Sequence, residues 1–397
     1  MQISPKNMID KGNKHYKEGK YKKAIKEYEK ALKVNENNKQ SIILALMGKA
    51  YGKLDDYKKA IECYQKALEI DYEFVDAWIL MGGAYYYLGE YENAVGAYHR
   101  ALDVNPNNSD AWLMMGVAYG RLNDYKNILH SYEKALEIDP EKADAWYSLG
   151  VVYSEVGDHN KAFECFKKAI DLKSDHVDAW YKMGVSYGRL GEHRNAINSY
   201  QVALKFDPQD ADAWYSMGVA HGEIGEHTRS IECLEKVLEI NPDYLDAWNL
   251  IGLAYDHLGE HKKAIKCFQK AIKINPKFAK AWYNMGVVYG KLGDHSKTIV
   301  NCEKALRIDI MYVDAWNLMG TAFYYLGKYH NAIKQFEKVV EIDANNAKAW
   351  GLMGLAYRAL NRHKNALKCY KKALEIDPNL LFVKRNLEDL KQFLNLK

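Results

Sequence analysis

No stretch of the sequence comes near the roughly eighteen consecutive apolar residues that a membrane-crossing helix needs, so no membrane span is expected. The opening MQISPKNMIDKGNKHYKEGK has no apolar segment of the kind that marks a secretory leader, and a cytoplasmic protein is expected. The six cysteines form no CxxC pair, which removes the usual spacing of a zinc ribbon. A P-loop, a Ser/His/Asp set and a catalytic carboxylate pair are all missing, so neither an enzyme nor a cofactor or metal is expected. Charge of one sign is missing too. A formal net charge of +4 gives no general case for nucleic acid. Residues 1–40 hold 11 Lys/Arg against 5 Asp/Glu and residues 360–397 hold 9 against 4, so basic ends flank an acidic middle.

What is present is a period. The nine tryptophans, from Trp78 through Trp146 and Trp214 to Trp350, are spaced 34 residues apart without exception. A fixed period of this length marks a repeat array rather than two or three globular domains. With each tryptophan set as position 4, eleven copies run 5–40 (a weaker copy ending in two extra residues), 41–74, 75–108, 109–142, 143–176, 177–210, 211–244, 245–278, 279–312, 313–346 and 347–380, followed by a tail, 381–397.

Within each copy, apolar or small residues at positions 4, 7, 8 and 11 follow a helical stripe, helix A. Position 15 is Gly, Asn or Asp in every copy, the residues most tolerant of positive φ, so a turn is expected there. A second stripe at 20, 21, 24, 27, 28 and 30 makes helix B, and six of the seven prolines fall at position 32, where helix B must stop. The glycine at position 8 and the small residue at position 20 should let the helices approach, with large side chains at 4, 11 and 24 filling the space between them. On this reading Trp146 is a core residue. Cysteines 63, 165, 233, 267 and 369 share position 23 in separate repeats, with Cys302 one place later, which argues against disulfides. Leu381, Leu387, Leu390 and Leu394 give the tail a helical apolar face that should cover the last helix B.

Histidine stands at position 17 in six copies, from His159 to His363, with tyrosine in the others. Stacked repeats place equivalent atoms about 10 Å apart, whereas zinc needs ligands about 2 Å from one centre, so these rings read as structural. Aspartate recurs at position 2, as in Asp110 and Asp144, where a helix dipole favours a carboxylate and where an acidic stripe could also select a basic partner. Glycine at position 12 of helix A (Gly52, Gly120, Gly188, Gly222, Gly290) needs an offsetting reason. Close packing of the next repeat is the first expectation, and opening of a groove is the second.

The pattern W-x-x-[LMI]-G-x-x-Y, seen in WILMGGAY (Trp78–Tyr85) and WYKMGVSY (Trp180–Tyr187), resembles the tetratricopeptide repeat, as do Gly191, Ala196, Ala203 and Pro208 in the sixth copy. Ile128, Ser230, Thr298, Val237 and Val339 depart from its alanine positions. The resemblance implies an all-α, right-handed superhelical solenoid of eleven helix-turn-helix repeats with a C-terminal capping helix. It also implies that helix A positions 2, 5, 9, 12 and 13 line a concave groove. Mapped here, that groove holds Leu113, Tyr147, Tyr181, Tyr215, Asn249, Tyr283 and Asn317 at position 5, and Val117, Val151, Val185 and Val219 at position 9. Asn284 joins them at position 6, Tyr86 and Tyr324 at position 12, and Tyr87, Arg121 and Arg189 at position 13. The lysine–asparagine clamp of chaperone-tail binders is absent, since Ile9 and Leu46 stand where it needs lysine and asparagine. The expected function is a non-enzymatic scaffold that holds a peptide or helix of another protein. The rival expectations are self-association through the basic ends and acidic middle, or a detached regulatory subunit of an enzyme.

Overall fold

The computed structural model describes residues 5–34 and 39–394. Residues 35–38 of the expected first repeat and 395–397 of the expected cap lie outside the described residues. Twenty-three helices make up the regular structure among the described residues, and none is a strand. The chain forms two compact units, Met1–Glu192 and His193–Lys397, each considered by itself below. In each, helices A and B alternate and pack on their neighbours in sequence, so each unit is an α-solenoid.

Two devices at the helix ends set this alternation. Position 15 has φ between 55° and 85° in every copy, with Asp55, Asn123 and Asn361 serving where glycine is absent. This left-handed residue ends helix A and reverses the chain within three residues. The very next residue caps helix B: Asp56, Asp124, Asp158 and Asp294 each accept a bond from the backbone nitrogen three residues on. Such a cap satisfies a donor that the helix itself leaves unpaired.

The closest approach of the two helices lies at position 8. A Cβ added to Gly252 would sit 2.5 Å from Phe268, and one added to Gly82 would sit 2.6 Å from Tyr98. The aromatic ring at position 24 therefore occupies the space that a side chain at position 8 would need. Phe166, Phe268, Phe336 and Tyr370 are fully buried there. Ile128, Ser230, Thr298, Val237 and Val339 are all buried without breaking this arrangement, and Thr298 Oγ1 donates to the Gly286 carbonyl across the pair at 3.2 Å.

The burial pattern of helix A differs from the expected stripe. Positions 3, 7, 8 and 10 are buried, as at Ala145, Leu149, Gly150 and Val152, whereas Trp146 and Tyr153 at positions 4 and 11 are half-buried. Helix A packs on its own helix B and on the preceding one, so its apolar face is broader and rotated relative to the sequence stripe. The tryptophans are thus not core residues in the full sense. Each indole lies at the edge of a core cluster and donates Nε1–H to the carbonyl six residues earlier, in the inter-repeat loop. Trp146 bonds Pro140 at 2.8 Å, Trp248 bonds Pro242 at 2.9 Å and Trp316 bonds Ile310 at 2.8 Å.

The last helix, Leu381–Phe393, covers the exposed face of the eleventh repeat with Val383, Leu387 and Leu390, all buried. Leu381, expected on that face, is 77% exposed, and Leu394 is half-buried. The true stripe is 383, 387 and 390, and Leu381 lies about 200° around the helix from Val383.

Candidate functional site

The turn at position 15 brings the ring at position 17 back beside helix A. What that ring touches varies with the residue at position 12 and with position 13 of the next repeat. Where position 12 is tyrosine, the two rings meet at a steep angle, as in Tyr86–Tyr91 and Tyr324–Tyr329, both at 5.4 Å. Where it is Asp256, the buried carboxylate lies 2.9 Å from His261 Nδ1 and also accepts from Lys291 Nζ at 2.7 Å. In three of the repeats where it is glycine, the ring lies flat on an aromatic at position 13 of the next repeat. Tyr57 stacks on Tyr87 at 5.1 Å and 12°, His227 on His257 at 4.7 Å and 8°, and His295 on Tyr325 at 5.0 Å and 12°.

The position-12 glycines do not serve the close packing expected of them. A Cβ added to Gly52, Gly120 or Gly188 would meet nothing within 4 Å, and at Gly222 and Gly290 the nearest atoms are hydroxyl oxygens at 3.6 and 3.5 Å. The missing side chains instead open clefts. One of about 740 Å³ lies at Gly52, walled by Tyr57 and Tyr87 and floored by Ile79, Leu80 and Ala84. One of about 450 Å³ lies at Gly120 between Tyr86, Arg121, Tyr147, Val151 and Glu155. In the second unit, clefts of about 160 and 260 Å³ lie at Gly222 and Gly290 beside the His227–His257 and His295–Tyr325 pairs.

The residues mapped from sequence are distributed over this face unevenly. Val117, Val151, Val219, Arg121 and Tyr147 line clefts. Arg121 Nε donates to the Tyr86 hydroxyl at 2.8 Å, with its guanidinium over the same ring. Tyr87 is 69% exposed. Tyr147, Tyr215 and Tyr283 are half-buried and lie against the position-34 rings of His176, Tyr244 and Tyr312 at 4.8–5.2 Å. Burial pushes the Tyr215 and Tyr283 hydroxyls up to about 12. Leu113 and Asn249 are buried and stand in the packing rather than on the open face. Asn284 Nδ2 donates to Asn249 Oδ1 at 2.9 Å, while the buried Oδ1 of Asn317 has no partner. Tyr324 packs on Tyr325 and Tyr329. Tyr181, Val185 and Arg189 sit on Val177–Arg189, the last helix of the first unit.

Sequence reasoning treated the position-17 rings as structural and missed that they wall clefts. It missed as well the leucines at position 6 (Leu80, Leu250, Leu318), which line the same clefts. The available signal was the coincidence of glycine at position 12 with an aromatic at position 13 one repeat later. The position-2 aspartates reach position 34 of their own repeat: Asp110 pairs with Lys142, and Asp144 lies 3.7 Å from His176. No cluster of three or more His, Cys, Asp or Glu able to hold a metal occurs among the described residues. No helix among them is long and apolar enough to cross a membrane.

Tetratricopeptide repeat models match residues 143–176, 211–244, 245–278, 279–309, 313–346 and 347–380, just over half of the chain. Further tetratricopeptide models match 8–73, and 121–157 with 189–225. The middle TPR-like domain of cilia and flagella-associated protein 70 matches 47–138. No curated protein matches the sequence. Similar solved structures include MamA, 31% identical over 43% of this chain and 94% of that one, with a TM-score of 0.41. A tetratricopeptide repeat protein from Parabacteroides merdae is 20% identical over 62% and 98%, with a TM-score of 0.51. The Cut9–Hcn1 hetero-tetramer of the APC/C is 17% identical over 96% and 95%, with a TM-score of 0.50.

Proposed function

The chain belongs to the tetratricopeptide repeat family, a family of protein-interaction scaffolds, and on that premise we propose that it is a non-enzymatic cytoplasmic scaffold holding a peptide or helical segment of another protein along its helix A face. The observation that carries this reading is the row of open clefts at the position-12 glycines, present in both units. An array selected only for stability would fill those positions with alanine, which the helix prefers and the space accepts. Apolar side chains of a bound segment would seat in individual clefts, and the rim tyrosines offer both a ring and a hydroxyl.

The test is a peptide selected from a random display library against the full chain. Its binding is expected to fall at least about tenfold in a Gly120→Leu, Gly222→Leu variant. Selected peptides that bind this variant as tightly as the parent chain would defeat the groove reading.

A further inference from the structure

The four clefts all open at a position-12 glycine but differ in charge. In the cleft at Gly290, Lys291 is paired with Asp256 at 2.7 Å. In the cleft at Gly222 the same position is Glu223. In the cleft at Gly120, Arg121 bonds the Tyr86 hydroxyl and Glu155 faces it. The cleft at Gly52 is different. Lys49 and Lys53 both border it, both are exposed, and neither has a carboxylate partner among the described residues. Of its two acidic residues, Asp110 pairs with Lys142, and Asp55 accepts from the Tyr57 hydroxyl at 3.0 Å at the rim, so the two lysines leave the cleft positive on balance. It is also the most spacious of the four, at about 740 Å³, with an apolar floor.

We propose that the Gly52 cleft is an anchor site for an acidic segment of a partner protein, which seats one large apolar side chain against the Tyr57–Tyr87 wall and sets flanking carboxylates on Lys49 and Lys53. This rests on the groove reading above and gives it a ligand class and a location. Unsatisfied cations beside an apolar cleft select by charge and hold by burial, and the charge part is screened by salt. A single-stranded nucleic acid is the other anionic candidate. It is disfavoured because Tyr57 and Tyr87 are stacked on each other at 12°, which leaves no gap for a base between them, and because two lysines do not make a phosphate track. The Gly290 cleft supplies an internal control, with a similar ring wall and no uncommitted cation.

The experiment uses the full chain and a fluorescein-labelled peptide of about twelve residues, acetylated and amidated, with a central phenylalanine flanked by glutamates. Analogues carry glutamine for glutamate, or alanine for phenylalanine, and a further glutamine peptide has a free C-terminal carboxylate. The glutamate peptide is expected to bind, with each analogue weaker by about tenfold or more. Raising salt from about 0.05 to about 0.5 M should weaken it. Gly52→Leu, which builds a side chain into open space, should abolish binding without lowering the melting temperature. Lys49→Glu with Lys53→Glu should do the same, and Gly290→Leu should leave binding unchanged.

Equal binding of the glutamine analogue, unchanged affinity in Gly52→Leu, or no binding of the glutamate peptide would each overturn the proposal. So would an oligothymidine probe that binds with the same Gly52 dependence, and a free carboxylate that restores the glutamine peptide would assign the site to chain termini instead. If the acidic peptide fails while a display-selected peptide still needs Gly120 and Gly222, this proposal falls and the groove reading stands.

Discussion

The indole Nε1 of Trp146 donates to the carbonyl oxygen of Pro140 at 2.8 Å, tying the first turn of helix A to the loop that leads into it. Trp214 makes the same bond to Pro208 at 3.0 Å. The ring is half-buried, so its packing and its hydrogen bond can be separated by mutation. Trp214→Phe should cost about 1 kcal/mol through the lost bond, and Trp214→Ala about 2–4 kcal/mol through the cavity as well. Because a repeat touches only its neighbours, hydrogen exchange should quicken near residues 207–254 and stay unchanged near the C-terminal cap. Uniform quickening across the second unit would contradict a nearest-neighbour array.

Helix A of the fourth repeat (Ser109–Arg121) holds two glycines with opposite demands. A Cβ on Gly116 would lie 2.5 Å from the Tyr132 ring, and one on Gly120 would meet nothing within 4 Å. Gly116→Ala should therefore destabilise by about 1–3 kcal/mol through overpacking, and Gly120→Ala should stabilise by about 0.5–1 kcal/mol. Urea melts of the two single variants check both signs.

These two glycines also show how far the sequence could be read. Period, turn and helix ends were legible because each rests on local chemistry: glycine or asparagine at positive φ, aspartate as a cap, proline after helix B. The glycine at position 8 was legible too, because an aromatic sixteen residues later completes its pattern. Position 12 was misjudged because how near the next repeat comes to it is set by the stacking of whole repeats, which the sequence of one repeat does not contain. The tryptophan was placed too deep for the same reason, since its hydrogen-bond partner lies in the preceding repeat. Of the mapped groove residues, Leu113 and Asn249 proved buried because they pack against the next repeat, Leu113 beside Ala145 and Leu149 and Asn249 bonded to Asn284.

The capping aspartates make the fold acid-sensitive in a calculable direction. The backbone N–H of Lys161 beside Asp158 and the Lys297 ammonium beside Asp294 hold those carboxyls below the usual carboxylate range. A carboxyl depressed in the folded state adds stability above its unfolded value, near pH 4, and loses it as pH falls through the folded value. The chain should weaken steadily below about pH 4. Asp158→Asn with Asp294→Asn keeps the caps but removes the titration, so the variant should lose less stability than the parent chain between pH 5 and pH 3. Parallel pH profiles would show that other groups govern the acid limb.

All six cysteines are buried and unpaired. Burial pushes the Cys302 and Cys165 thiols up to about 12 and the Cys63, Cys233, Cys267 and Cys369 thiols up to about 11. Thiolates are the reactive form, so the native chain should resist a thiol reagent at pH 8, and all six should react in denaturant. Rapid labelling of any one under native conditions would mark local opening of that repeat.

Leu390 is fully buried on the inner face of the terminal helix, whereas Leu381 is 77% exposed. Leu390→Ala should cost about 2–4 kcal/mol and promote aggregation by loosening the cover over the eleventh repeat, and Leu381→Ala should be close to neutral. Equal melting temperatures for the two variants would remove the helix from its capping role.

The flat ring pairs carry a consequence for how such a chain can lengthen or shorten. Tyr57 belongs to one repeat and its partner Tyr87 to the next, so no single 34-residue segment carries both halves of the pair. Excising residues 75–108 in frame would preserve every turn and cap, yet it would bring Arg121 to the place of Tyr87 opposite Tyr57. Duplicating residues 41–74 would set Lys53 there instead. Whole-segment gain or loss thus conserves the fold while rewriting the recognition chemistry at each seam, and the joint between repeats, rather than the repeat, becomes the unit on which selection for a partner acts.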